Sequence, residues 1–340
     1  MMVVLPAFRA TWVALRCWRQ PFSLGIRDEC SELLRLRLRY TSKTTRDWQL
    51  SEGDRVNKQT WVMASRWLSF FLLSLLTRNA LSVVEPTTTF DHTHSAWTEF
   101  LNEVLPESDS LGVQEVDYAR AQALEPVLND YLQTLASVSE TTFLTFEVVD
   151  QQAFLINLYN AAMIKKVLSR YPDIRSVWDF GRIFNHPFKH RFISLFGKKV
   201  SLDDVEHGWL RGRAALFDPR VHFAVNCASM GCPPLRRSAY VGATLDAALD
   251  EQAARFLSDR TKNGFDRKTM RLMLSPLFEW YEEDFSLQGQ PGSHAYLARF
   301  AKPLGLSPLE AKALGKGELE ITWSTYDWSL NTAAIRAKQE

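Results

Sequence analysis

The sequence predicts an α+β fold, a mostly helical single domain around a small, largely antiparallel sheet. Helical periodicity of apolar residues recurs from residue 95 onward, and only a few short strand-like runs interrupt it. Between Val83 and Glu340 there is no repeat, low-complexity linker or composition break, which argues for one domain across that stretch.

In Ser95–Val104, Trp97, Phe100, Leu101 and Val104 stand at helical spacing. Residues 114–136 carry Val116, Tyr118, Leu124, Val127, Leu128, Tyr131, Leu132 and Leu135, and Pro126 should divide them into two helices. Residues 147–170 give the strongest helix. It is apolar nearly all round through residues 153–163, the mark of a buried central helix. Residues 192–196 and 199–201, joined by Gly197-Lys198, read as a hairpin. Ser201 then caps a helix, with Asp203 and Asp204 near its positive end and Arg211 near its close. Residues 243–259 form an amphipathic helix, and residues 276–284 a short one with proline suited to its first turn. Residues 221–227, 270–274 and 321–326 complete the expected strands.

The first eighty residues differ in kind. Residues 1–62 hold nine arginines and two lysines against six acids, with no sustained periodicity. Met63 and Arg66 then precede an apolar run, residues 67–76, which looks like a secretory signal peptide with Ala80 and Ser82 at the positions a peptidase reads. The run is too short to span a bilayer, which takes roughly 20 residues. Met63 is therefore expected to be the true start, residues 1–62 a disordered, over-extended frame, and residues 63–82 the signal. Rival readings are a basic organellar presequence, a buried core helix, or an uncleaved membrane anchor. On the signal reading the protein is exported, periplasmic or extracellular, with no stable membrane span after cleavage.

Composition sets further bounds. With 46% apolar and 23% charged residues, disorder is excluded as the general state. The net charge of +1 excludes the global basic footprint of a nucleic-acid coat protein. That figure averages +7 through Ser82 with −6 beyond it, where 27 basic residues face 33 acidic ones. Cys17 and Cys30 lie upstream, so residues 83–340 hold only Cys227 and Cys232.

Several ordered motifs stand out: Val116-Asp117-Tyr118; Ala153-Phe154-Leu155-Ile156-Asn157-Leu158-Tyr159-Asn160-Ala161; and Ser201-Leu202 with Val205-Glu206-His207 and Leu210-Arg211. They continue with His222-Phe223-Ala224-Val225-Asn226-Cys227-Ala228-Ser229, Gly231-Cys232-Pro233-Pro234-Leu235, Trp280-Tyr281, Asp284-Phe285 and Tyr326-Asp327-Trp328-Ser329-Leu330-Asn331. In that order they resemble the domain-of-unknown-function 547 family, over about residues 95–335 and not before about residue 90. The resemblance implies no established activity, so function must come from the residues.

Cysteine-dependent catalysis needs a thiolate, a base within reach and a group orienting that base. Cys227 would be the nucleophile and His207 or His222 the base. Asn157, Glu206 or Asn226 would orient the base or hold an oxyanion. Asn160, Arg211, Ser229 and Cys232 stand in support. This draws a papain-like or transglutaminase-like hydrolase or acyl transferase for a peptide, amide or cell-envelope substrate. If residues 221–227 are a strand, His222 and Cys227 face opposite sides, which favours His207. The competing class is a non-catalytic binding or interaction module in which Cys227 and Cys232 form a structural disulfide, since export would oxidise them. A redox-active pair is a third reading, set back by a spacing unlike the two-residue spacing of thioredoxin-type sites.

Asn157 and Asn160 share a face of the most apolar helix and need partners, either the loop 227–235 or a polar cleft. Trp280-Tyr281 and Tyr326-Asp327-Trp328 either pack in the core or stack on a sugar or peptide. Asp284 should close the helix over 276–284. His186 and His190 stand four apart around Pro187, which breaks a helical zinc pair, so no metal and no cofactor is expected. Neither a phosphate-cradling loop nor a Gly-x-Ser-x-Gly elbow occurs. Nucleic acid is not an expected partner, and oligomeric state is not legible.

Overall fold

The computed structural model describes residues 89–106, 115–183, 186–286 and 293–332, all within the unit Pro86–Glu340. The expectations for residues 1–82 (extended frame, signal, cleavage after Ser82) lie outside the described residues.

The central element is the helix Val148–Leu168, buried on nearly every side from Gln152 to Ile164. Its ends obey the helix dipole, with Asp150 in the first turn and Lys165 and Lys166 in the last. No described helix is long and apolar enough to cross a membrane. Ser95–Val104 buries the four residues its spacing singles out. The divided helix also appears, as Tyr118–Ala123 and Glu125–Ser137, with Pro126 in the first turn of the second, where its missing N–H costs nothing. These elements pack on the central helix to form one apolar core, including Trp97, Leu128, Phe143 and Phe154. A second core gathers Phe223, Phe256, Phe278, Phe285 and Tyr296. The helix Leu245–Ser258 serves both, sending Leu245 and Leu249 to the first and Phe256 and Leu257 to the second.

The fold is α+β and mostly helical, with two small sheets among the described residues where one was expected. β1 (Ile193–Leu195) and β2 (Lys198–Val200) form the antiparallel hairpin, Ile193 opposite Val200. Its turn needs positive φ at Phe196 and Gly197, 52° and 72°, and glycine meets the second at little steric cost. β3 (Gly264–Asp266), β4 (Arg271–Leu274) and β5 (Glu320–Trp323) make the other sheet in the order β3-β4-β5. β3 and β4 are antiparallel, while β4 and β5 run parallel, pairing Arg271 with Glu320.

Two local expectations need correction. Residues 221–227 are not a strand. Val221–Ala224 is one helical turn, started where the Val221 N–H bonds the Asp218 carbonyl (3.1 Å). The turn stops because the Asn226 N–H is taken by Asn160 Oδ1 (2.8 Å) instead of a helical carbonyl. A partner distant in sequence overrides the local alternation there. The helix after Ser201 is capped as expected, Ser201 Oγ accepting from the Asp204 N–H (3.0 Å) and Asp204 Oδ2 from the Ser201 N–H (2.9 Å). It then winds as a π-helix over Asp204–Leu210, and the Arg211 N–H reaches the Glu206 carbonyl (2.8 Å). Gly212 permits this wide turn, because a Cβ there would stand 2.6 Å from the His207 carbonyl oxygen. Such wide turns recur at functional sites.

Candidate functional site

The site begins with a clamped loop. Asn160, on the central helix, donates to the Ala224 carbonyl (2.9 Å) and accepts from the Asn226 N–H. Asn226 in turn donates to the Pro233 carbonyl (2.8 Å) and accepts from the Ala228 N–H (2.8 Å). That last bond holds Ala228 in the left-handed region, φ 60°, which alanine adopts only against a cost of about 1–2 kcal/mol. The chain's last described segment runs alongside. Met230 and Gly231 donate to the Ser329 and Asp327 carbonyls, at 2.9 and 2.8 Å.

This loop carries a disulfide between Cys227 and Cys232, with Cα atoms 6.1 Å apart. Cys232 is buried and Cys227 half-buried. Ser229 Oγ lies 3.0 Å from the Cys227 sulfur, and Tyr326 Oη lies 3.3 Å from it. The Cys232 sulfur accepts from the Cys227 N–H (2.9 Å) and from Tyr326 Oη (3.4 Å). Gly231 makes the close approach possible, since a Cβ there would meet three Tyr326 ring atoms at 2.9 Å.

An acid–imidazole network forms another part of the site. His222, on the turn Val221–Ala224, is fully enclosed and stacks on Tyr281 with ring centroids 3.9 Å apart. Its Nε2 donates to Asp284 Oδ2 (2.7 Å), and the same oxygen accepts from Arg211 Nε. Arg211 also donates to His207 Nδ1 (2.7 Å), one helical turn away, and lies over the Tyr281 ring. Burial pushes the Asp284 carboxyl up, but the hydrogen bonds from His222 and Arg211 outweigh it and hold it down to about 2. Glu206, on the π-helix, is buried and accepts from Tyr281 Oη (3.2 Å), with its Oε1 3.8 Å from His222 Nδ1. Burial drives the Tyr159 phenol far above its usual range, as does the Glu206 charge. Burial also raises the Asp203 carboxyl, partly offset by His207.

Both parts open on one cleft of about 220 Å³, whose lining includes Glu206, His207, His222, Cys227 and Cys232. Aromatic residues form another wall. Trp280 stacks on Trp328 (5.8 Å, 19°), Tyr326 touches both at 4.9 and 4.5 Å, and Trp178 meets Trp328 edge-on at 5.0 Å. These rings contact one another, so they form a continuous surface and not a cage around an empty centre.

The structure therefore brings Cys227, Cys232, His207, His222 and Glu206 to one place. With residues 221–224 helical, the parity objection to His222 disappears, yet its Nε2 is bonded to Asp284. Arg211 and Ser229 support the network and the disulfide. Asn157 stands elsewhere: fully buried, it donates to the Tyr240 carbonyl (2.8 Å) and accepts from the Tyr240 N–H (3.0 Å). Asn160 and Asn226 clamp the loop from behind. Asp284, expected to close a helix, instead receives His222 and Arg211, while the helix itself is only Leu277–Trp280. Tyr159 and Trp178 were missed, because inside apolar or aromatic runs nothing distinguishes a cleft residue from a core one.

Residues 145–257 match a family model described as protein of unknown function, DUF547. That segment carries the motifs from Ala153 to Leu235, while Trp280-Tyr281, Asp284 and Tyr326–Trp328 lie beyond it. No curated protein and no solved structure matches the chain.

Proposed function

We propose that the cleft is a binding site for a short polypeptide segment in an exported setting, with the Cys227–Cys232 disulfide closed in the resting protein. The observation that carries this is the continuous aromatic wall of Trp178, Trp280, Tyr326 and Trp328 on the same cleft as Glu206 and Asp203. Indole and phenol faces take up apolar side chains at low entropic cost, and carboxylates accept peptide N–H groups. Trp280, in contact with Tyr326 and Trp328, is still 47% exposed and so offers ring surface to a bound segment. An oxidised pair also fits a non-reducing compartment. Acyl transfer from Cys227 is less well supported. Its sulfur is committed to Cys232, and the imidazoles of His222 and His207 are bonded to Asp284 and Arg211.

Screening the intact protein against an array of short peptides, read by tryptophan emission, tests this proposal. Peptide binding should shift the emission of the cleft indoles. Trp280→Ala should weaken binding by about tenfold or more, as for a central aromatic contact. Binding that ignores Trp280, or an array without a binder, would overturn the assignment. So would exclusive binding of soluble glycan fragments.

A further inference from the structure

The disulfide in the cleft is more than a staple. A bridge over five residues constrains the unfolded chain less than a long-range one does. This loop is in any case held by Asn160, Asn226 and the backbone bonds to Asp327 and Ser329. Those bonds would keep the two cysteines adjacent with the bridge open. A structural role thus leaves the position of the bridge, on the cleft wall, unexplained.

The two sulfurs are also unlike. Cys227 is half-buried and lines the cleft, while Cys232 is only 3% exposed. The buried sulfur faces two donors, the Cys227 N–H at 2.9 Å and the Tyr326 hydroxyl at 3.4 Å. Burial drives the Tyr326 phenol well above its ordinary value, so it stays a donor. Lys262 Nζ, paired with Asp259 at 3.1 Å, donates to the Cys232 carbonyl oxygen (3.0 Å) and so holds the backbone of this residue. A disulfide sulfur is a weak acceptor, whereas a thiolate is a charged one, so these bonds strengthen as negative charge develops on Cys232. Stabilising the departing thiolate speeds thiol–disulfide exchange.

We propose that the Cys227–Cys232 disulfide exchanges with thiols entering the cleft, Cys227 taking the incoming sulfur and Cys232 departing. This deepens the peptide-binding reading and rests on it for its substrate class, cysteine-bearing polypeptides. An incoming thiolate, its proton given to solvent, attacks the Cys227 sulfur. A bond forms between the two, the Cys227–Cys232 bond breaks, and the electron pair goes to Cys232. A second substrate thiolate then attacks the substrate sulfur of the mixed disulfide and releases Cys227. The substrate leaves as a disulfide, oxidised by two electrons, and the two cysteines, reduced by the same two, take up protons from solvent.

Glutathione, a small peptide thiol, is the probe, and the full chain is the sample. The native protein in millimolar glutathione should open its bridge while folded, as followed by intact mass and circular dichroism. Cys232→Ser treated with oxidised glutathione should collect the adduct on Cys227 at least about tenfold faster than Cys227→Ser collects it on Cys232. Tyr326→Phe should slow opening of the native bridge by about tenfold, the effect of one charge-assisted donor. A bridge that resists glutathione until urea unfolds the protein would overturn the proposal, as would preferential modification of Cys232. Exchange in a protein whose peptide array is blank would overturn the binding reading alone. Array binding without exchange would overturn only the chemistry.

Discussion

Replacing Asp284 by asparagine tests the electrostatic organisation of the cleft most directly. The Asp284 carboxylate receives His222 Nε2 at 2.7 Å and Arg211 Nε, and its side chain is 13% exposed against 1% for His222 and 25% for Arg211. Asparagine keeps the shape and one acceptor but removes the charge. The displacement of its pKa from 3.8 to about 2 corresponds to roughly 2 kcal/mol favouring the ionised, folded form at neutral pH. Removing one partner of a fully buried pair costs about 3–5 kcal/mol, and the partial exposure of Arg211 trims that here. Asp284→Asn should therefore destabilise the protein by roughly 2–3 kcal/mol at pH 7. The sign follows from the direction of the shift. A carboxyl whose folded pKa is depressed contributes its full stability above its unfolded value, and loses that contribution as pH falls toward its folded one. The gap between wild type and variant should narrow by about 1 kcal/mol on going from pH 7 to pH 3. Urea unfolding followed by tryptophan emission measures both quantities. A gap under about 0.5 kcal/mol at pH 7, or one unchanged at pH 3, would show that the charge on Asp284 does not organise these side chains.

Three further substitutions, one of them a control away from the cysteines, probe the loop behind them. Asn160→Ala should cost roughly 2–4 kcal/mol in urea unfolding, since it strands the buried Ala224 carbonyl and Asn226 N–H. Asn157→Ala should cost a similar amount through Tyr240 yet leave the glutathione reactivity of Cys227 unchanged, whereas Asn160→Ala should alter it. Gly231→Ala drives a methyl to 2.9 Å from three Tyr326 ring atoms, so the ring must move at a cost of about 1–3 kcal/mol. Thermal unfolding with parallel kinetics of bridge opening checks it, and unaltered values for both would show that the ring is not wedged against the loop.

Elements that satisfy their own residues were readable in advance. Ser95–Val104, the split at Pro126, the central helix and the Gly197 hairpin follow from spacing, capping and turn chemistry. The cleft was half readable. Cys227, Cys232, His207, His222 and Glu206 are chemically conspicuous wherever they stand, and they do converge. Their bonding was not readable, because it depends on pairs far apart in sequence: His222 with Asp284, and Asn160 with Asn226. The strand expected at 221–227 failed for that reason, as alternation there lost to a hydrogen bond from the central helix. The winding after Ser201 was hidden too, since i, i+4 spacing joins His207 to Arg211 in either helix type and only the Gly212 close approach distinguishes them. Asn157 and Asn160 show the same limit. Three residues apart on one face, they bind different partners, and only Asn160 reaches the cysteine loop.

The polar groups around the cleft are a costly way to fill space. A buried ion pair often contributes no more than well-packed apolar residues of equal volume would, and a buried amide must recover its hydration in full. Yet Asn160, Asn226, His222, Glu206 and Asn331 are all nearly inaccessible in a protein with two apolar cores at its disposal. What such groups supply in exchange is direction. Asn226 accepts from the Ala228 N–H at positive φ and donates to the Pro233 carbonyl, which holds the loop that carries Cys227 and Cys232. Asp284 fixes the plane of His222, and through Tyr281 the position of Glu206. Asn226 reaches the cleft lining at the Pro233 carbonyl, and Asp284 reaches it at His222. The substitutions that should alter the cleft most are therefore those that remove a director from behind it, with Asn160→Ala and Asp284→Asn as the two cases whose effects would separate geometry from mere stability.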